Sequence, residues 1–521
     1  MTLPAHWAQD RLKQLSALRR DGDHAAAGTI LAEMAEQVPD VFRLPQMWEV
    51  INTPVVRFVR PGEGAAHIAY LETLLQVAVR TCSRVVDPRD RAHLAKAIVA
   101  RLDFRLVAHS DHFIGPLMRG RAALYRTALT PVVAGLPPLA PAGAPDGRPR
   151  LVVVFRSLQE DPETTSLLPF FEGARDSGFA VSVLAFADSA SPFRTLLETA
   201  ADEVAILPED VAGAARAILE RNADLLLYGS DVTAKPSVRA YLSFLRLARV
   251  QMCAVSTLMT TQSPTMDVYL GSPGHRAIGA DREFSERYVE VPAPGFAFRF
   301  PRRPPPERRF ERAEFGIGQD AVVLVSGANQ TKLHRDLLDV WAEILAGAPD
   351  TVLVLYPFPR HYGMDGTLAA DVRRPFLERG IGGDRVIVLP QLDGRDLVKR
   401  FLAICDLGLD SFPYPGVTTM VDAIEAGLPT VALRGRTLRA NQGADILESV
   451  GLGELVAGDV AAYRDLVLKL VGRPEDRAAL RSRLETIRAG SPGVLDPSRF
   501  ATATAARLRE LVSGTAGFQR R

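Results

Sequence analysis

One stretch of this chain gathers residues that could do chemistry: positions 409–435, LDSFPYPGVTTMVDAIEAGLPTVALRG. Its residue types run in the order of a strand end, a tight proline- and glycine-rich loop, a hydroxyl-rich helix start, a helix and a following strand. The first turn of a helix leaves backbone N–H groups unpaired and carries partial positive charge. Thr418 and Thr419, placed there just after Gly416, therefore suit a phosphate. The same residues fit a second reading, since Thr419 and Asp422 have the spacing of a capping box in which hydroxyl and acid satisfy each other's backbone donors. One helix can do both. Val421, Ile424 and Leu428 recur at helical spacing and give the helix a buried face, Pro429 stops it, and Thr430 to Leu433 re-enters a sheet.

The elements that must position this turn follow from the rest of the sequence. With 521 residues the chain exceeds one ordinary core, and two or three domains are expected. Lys plus Arg (62) and Asp plus Glu (61) nearly cancel, which leaves no electrostatic footprint for nucleic acid or an anionic membrane. Cys82, Cys253 and Cys405 are far apart and form neither a disulfide framework nor a metal-ligand cluster, so no metal site is expected. The N-terminal residues carry Asp10, Lys13 and arginines in an amphipathic pattern, unlike a secretory signal. No apolar run approaches the ~18 residues of a membrane span, and a cytoplasmic protein is expected.

Residues 1–135 read as an all-α domain: Leu12, Leu15 and Leu18, then Ile30, Leu31 and Met34, then Leu71, Leu74, Leu75 and Ala78 repeat at spacings of three and four. Residues 136–150 are a proline-rich linker. From Leu151 short apolar runs alternate with helical stretches, at Leu151–Phe155, Val181–Phe186, Glu203–Leu207, Leu225–Tyr228, Val250–Val255 and Val268–Leu270. A second series follows the basic stretch Arg299 to Arg309, at Ala321–Ser326, Thr351–Tyr356, Arg385–Leu389, Leu407–Asp410 and Thr430–Leu433. Such alternation implies an α/β protein with two Rossmann-like parallel-sheet domains, residues 151–305 and 306–521. Two such sheets facing each other make one deep cleft at their carboxyl ends. The last helix is expected to cross back to the first of these domains.

Several short segments, in order, resemble the glycosyltransferase family that contains the O-linked N-acetylglucosamine transferases and the bacterial cytoplasmic adhesin N-glycosyltransferases. They are RLARVQ (246–251), Thr260-Thr261, Asp267 with Tyr269, FSERYVEVP (284–292), SGANQTK (326–332), the loop from Asp410 to Pro429, RGRTL (434–438) and GLGEL (451–455). The resemblance implies a GT-B fold and a nucleotide-sugar donor, expected to be UDP-linked, held by the second half. It also implies metal-independent inversion at the anomeric carbon and a polypeptide acceptor, adhesin- or flagellin-like, engaged with help from the helical domain. Oligomeric state is not implied.

A nucleotide-sugar donor has a diphosphate leaving group that gains negative charge as the glycosidic bond breaks, so fixed donors and cations are needed there. Thr418, Thr419 and Gly416 supply the first, and Lys332, just after a strand end, is the candidate for the second as a mobile point charge. Asp422, one turn into the helix, suits a ribose contact, with the capping box as its alternative. Asn329 suits either a donor contact or an Asx-turn, and His334 reads as a helix-surface residue. In the first half the family's histidines are replaced across TLMTTQ (257–262). There Gln262 can hydrogen-bond sugar or acceptor without acting as a base, and Asp267 is the only acid, with a structural role at a strand end as its other reading. Val417 and the loop residues Gln391, Asp393 and Arg395 also depart from the family's pattern, which leaves donor sugar and base open. Two other readings stay open beside protein glycosylation: a GT-B enzyme acting on a glycan, small molecule or nucleotide sugar, and a catalytically silent nucleotide-sugar-binding scaffold.

Overall fold

The computed structural model describes residues 5–38, 40–53, 55–140, 147–189, 192–301, 307–356, 367–390 and 392–514. Part of the 136–150 linker and Gln391 lie outside these. Six α-helices between Ala5 and Val133 form the N-terminal domain. The turn before its second helix shows how local chemistry sets an element: Gly22 adopts φ +75°, and the Asp23 carboxylate caps helix His24–Gln37 by accepting from Ala26 N at 3.1 Å.

The first α/β domain is built on β1 (Arg150–Phe155), β2 (Ala180–Ala185), β3 (Glu203–Ile206), β4 (Leu225–Tyr228), β5 (Val250–Cys253), β6 (Val268–Gly271) and β7 (Arg287–Glu290). All pair in parallel in the order β3-β2-β1-β4-β5-β6-β7. The second is built on β8 (Val322–Ser326), β9 (Thr351–Leu355), β10 (Val386–Val388), β11 (Leu407–Leu409), β12 (Thr430–Leu433) and β13 (Val456–Ala457), in the order β10-β9-β8-β11-β12-β13. Its pairs are parallel too. Leu151 to Phe155 are all buried, as expected of a parallel strand covered on both faces. Each order reverses once, between β1 and β4 and between β8 and β11, and ligands in open α/β sheets bind at that switch point. The two facing Rossmann-like domains behind a helical domain are the GT-B arrangement. Strands β7 and β13 were not expected from apolar runs, because β7 interleaves charged residues with apolar ones and β13 is only two residues long.

Among the contacts that join the domains, three bear on how they are held. The helical domain shares one continuous core with a face of the first sheet, where Tyr125 stacks on Phe244 at 5.1 Å. The C-terminal helix Pro497–Ser513 returns to the first domain as expected: Phe500 packs edge-on against Phe170 at 5.0 Å, and Gly173 is so close to the helix that a Cβ would stand 2.3 Å from the Ala501 carbonyl oxygen. The third is ionic. Arg439 of the second domain, fully buried, donates to both oxygens of Glu283 in the first domain at 2.9 and 3.0 Å. It also donates to the carbonyls of Ser110, at 3.1 Å, and His112 in the helical domain. Removing one partner of such a pair strands a buried charge. Arg439→Met is therefore expected to destabilise the protein by about 3–5 kcal/mol, read as a lower denaturation midpoint with early exposure of domain junctions to protease.

Candidate active site

A cavity of about 570 Å³ is walled by both α/β domains. Its residues follow strand carboxyl ends: Glu163 after β1, Asp231 after β4 and Ser256 after β5 on one wall. On the other stand Asn329 and Lys332 after β8, Arg395 after β10, and Tyr414 to Thr419 after β11. The topology thus brings residues more than two hundred positions apart to one space.

The second-domain wall is shaped by a residue that sequence reasoning did not single out. Asp410, buried at the end of β11, accepts from Ser411 N at 2.9 Å and Gly416 N at 2.7 Å through Oδ1, folding the loop back on itself. Its signal in the sequence is an acid at the end of an apolar strand, directly before the turn-forming Ser-Phe-Pro. Gly416 must lack a side chain, since a Cβ there would lie 2.0 Å from Thr419 Oγ1. The loop delivers helix Thr418–Ala426 to the cavity by its N-terminus. Val417 occupies the cap position without any side-chain cap hydrogen bond, so the capping box is absent. Thr418 Oγ1 is buried and has no hydrogen-bond partner among the described residues. A hydroxyl left that way at a helix N-terminus, on a cavity wall, suits an anion. Gly427, at φ +73°, ends the helix before Pro429 is reached.

Lys332 lies on this wall but not as the mobile point charge expected. It is half-buried in a short turn, Gln330–Lys332, where Nζ donates to Pro415 O at 2.6 Å and sits 4.3 Å over the Tyr414 ring. Burial holds its pKa below the ordinary lysine range, opposed by the charge of Asp410. Tyr414 is itself stacked at 5.0 Å on His109 of the helical domain, whose Nδ1 lies 2.7 Å from Thr331 O. The helical domain therefore buttresses the lysine turn from behind.

Asp422 reaches the cavity wall paired with Arg395, whose Nε donates to Oδ1 at 2.7 Å; burial pushes this carboxyl up to about 7 against the arginine's pull. Arg395 in turn lies over the Phe300 ring. Asn329 makes the Asx-turn, accepting from Thr331 N at 3.0 Å and from its hydroxyl at 2.6 Å, while also lining the cavity.

Three expectations are corrected. Asp267 precedes β6 at its amino end, away from the cavity, where Arg246 takes both its oxygens and Gln251 N donates to it at 2.9 Å; it holds the frame. Gln262 is outside the cavity wall, its amide donating to Thr260 Oγ1 at 3.3 Å, and Thr260 and Thr261 are themselves clasped by Glu286. His334 is buried, not on a helix surface: it lies 3.0 Å from His109 Nδ1, and Phe58 N donates to it at 3.4 Å, because the helical domain docks over it. Burial lowers its pKa to about 3. The described residues include no group of three or more His, Cys, Asp or Glu side chains that could hold a metal ion.

Residues 309–502, which contain this entire wall, match the model of glycosyl transferase family 41. The match covers a little over a third of the chain, from just before β8 into the C-terminal helix. It is 29% identical over 258 residues to an Arabidopsis thaliana protein described as a probable UDP-N-acetylglucosamine–peptide N-acetylglucosaminyltransferase SPINDLY, over 49% of this chain and 27% of the relative. A Caenorhabditis elegans UDP-N-acetylglucosamine–peptide N-acetylglucosaminyltransferase is 26% identical over 180 residues, 34% of this chain and 15% of the other. The chain thus spans about a quarter of the length of the plant relatives it matches. A Thermobaculum terrenum O-GlcNAc transferase mutant shares the fold, with TM-score 0.66 at 19% identity and all of both chains covered. The similarity to family 41 includes the second-domain wall, where the loop from Asp410, Lys332 and the helix N-terminus meet.

A lysine whose pKa is held down loses its proton at lower pH than an exposed one, and only the protonated form attracts a phosphate. UDP affinity is expected to weaken as pH rises through values below the ordinary lysine pKa, and Lys332→Met to remove that extra dependence. Isothermal titration of both forms across pH checks it, since titration of UDP itself cancels in the comparison.

Proposed function

We propose that the chain transfers a sugar from a nucleotide-sugar donor, UDP-linked, to a side chain of a polypeptide, with inversion and without a metal ion, in the cytoplasm. The observation that carries this reading is the convergence, on one cavity wall, of an unpartnered Thr418 hydroxyl at a helix N-terminus and the clamped cation of Lys332. Breaking the anomeric C–O bond leaves the electron pair on the diphosphate. Donors and a cation already in place there stabilise the developing charge without reorganising. The plant and worm relatives, described as UDP-N-acetylglucosamine–peptide N-acetylglucosaminyltransferases, support both donor and acceptor class. The helical domain, docked against the first sheet beside the cleft, is the natural surface for the polypeptide. Among the described residues no helix is long and apolar enough to cross a membrane.

The test is to incubate the purified chain with UDP-, GDP- and CMP-sugars, with and without candidate acceptor proteins, and to follow intact mass and free nucleotide. Gain of acceptor mass from a UDP-sugar is expected. Sugar interconversion, labelling of glycans alone, or binding without turnover would overturn the reading. Lys332→Ala should lower turnover by about 10²–10³-fold, the usual loss for one group stabilising the leaving charge.

A further inference from the structure

The opposite wall of the cavity contains a group that nothing above has used. Among the described residues, three carboxylates line the cavity. Asp231 is fully engaged in its own turn, with one oxygen accepting from the Thr233 hydroxyl at 2.5 Å and the other from Ala234 N at 2.7 Å. Asp422 is held by Arg395. Glu163 differs: Oε1 accepts from Asp231 N at 3.2 Å, whereas Oε2 is buried and has no hydrogen-bond partner among the described residues.

Position agrees with chemistry. Glu163 stands in the first turn of helix Pro162–Asp176, fixed by a capping box in which Asp161 accepts from Thr164 N at 3.0 Å and the Thr164 hydroxyl accepts from Asp161 N at 3.1 Å. Its wall is the first domain's, while Lys332 and Thr418 are on the second's. In an inverting displacement the nucleophile enters opposite the leaving group, so its proton must go to the wall across from the phosphate site. We propose that Glu163 is the general base of the transfer, taking the proton of an acceptor hydroxyl. This rests on the reading of the cleft as a glycosyl-transfer site. The acceptor O–H proton passes to Glu163 Oε2 as the acceptor oxygen bonds to the anomeric carbon. The C–O bond to the diphosphate breaks with its electron pair on the phosphate, and the protonated Glu163 returns its proton to water after product leaves.

The surroundings of Glu163 favour the role. Burial raises its pKa, helped by the carboxylates of Asp161 and Asp231 and opposed by the nearby Ser230 hydroxyl and the hydrogen bond from Asp231 N. Arg239, from helix Val238–Leu242, faces it with the opposite charge, Arg156 is occupied by Asp161, and Tyr414 faces it from the second domain. A carboxylate above its ordinary pKa is a stronger base at neutral pH.

Glu163→Gln preserves shape and still accepts from Asp231 N. With UDP as binding probe, and a library of serine- and threonine-containing peptides as acceptors for UDP-N-acetylglucosamine and the other UDP-sugars, UDP affinity should stay within about twofold of wild type. The transfer rate should fall by about 100-fold or more. The acid limb of the wild-type pH–rate profile, rising as the carboxyl ionises, should vanish, and Glu163→Asp should restore part of the rate. Unchanged transfer with the same acid limb in Glu163→Gln overturns the base and leaves the cleft reading standing. Loss of UDP binding along with transfer in that variant also overturns it, by showing a structural role. A wild-type chain that neither binds UDP nor transfers overturns both.

Discussion

The geometry of this protein depends on one buried cation. A cleft between two α/β domains works only if the carboxyl ends of both sheets are held at a fixed separation, and Arg439 is where three domains are tied together. Its guanidinium is fully buried, paired with Glu283 from the first domain and capped by carbonyls of the helical domain. Glu283 also accepts from Ile114 N at 3.2 Å, so the acid serves two domains at once. Beside it Asp111 of the helical domain accepts from Arg436 N and Thr437 N at 2.8 Å, which anchors the segment after β12. A hydrophobic contact of the same size would hold the domains together without fixing their rotation. Planar, directional ion pairing fixes both.

Given that fixed frame, the cavity is electrically divided. The second domain offers a helix N-terminus, a free hydroxyl, Lys332 and Arg395; the first offers Glu163 and Asp231. The helical domain is part of this arrangement, because His109 stacks on Tyr414 while Tyr414 carries Lys332 on its face. Asp410, whose other oxygen has no partner among the described residues, lies under the same loop and moderates the lysine's charge.

The sequence is most legible where one local rule decides. Apolar runs gave the central strands of both sheets, and the glycine, proline and threonine order gave the turn from Asp410 to Thr419, because strand burial and helix N-terminal chemistry are written within a few residues. Legibility failed where two distant segments meet. His334 reads as a surface histidine until the helical domain closes over it. Asp267 carries the right chemistry, but only the direction of β6 shows that it faces away from the cavity. Glu163 and Asp231 look like ordinary helix-start and turn acids, and which has a free oxygen depends on the fold that brings them together. Short edge strands such as β7 and β13 escaped because they bury too little to be seen in hydrophobicity.

The most direct measurement is a crystal structure of the protein with UDP bound. The diphosphate should lie between Lys332 Nζ and the N-terminus of helix Thr418–Ala426, accepting from the Thr418 hydroxyl, with Glu163 across the cavity from it. A diphosphate bound away from that turn, or at the first-domain wall, would contradict the assignment of the two walls.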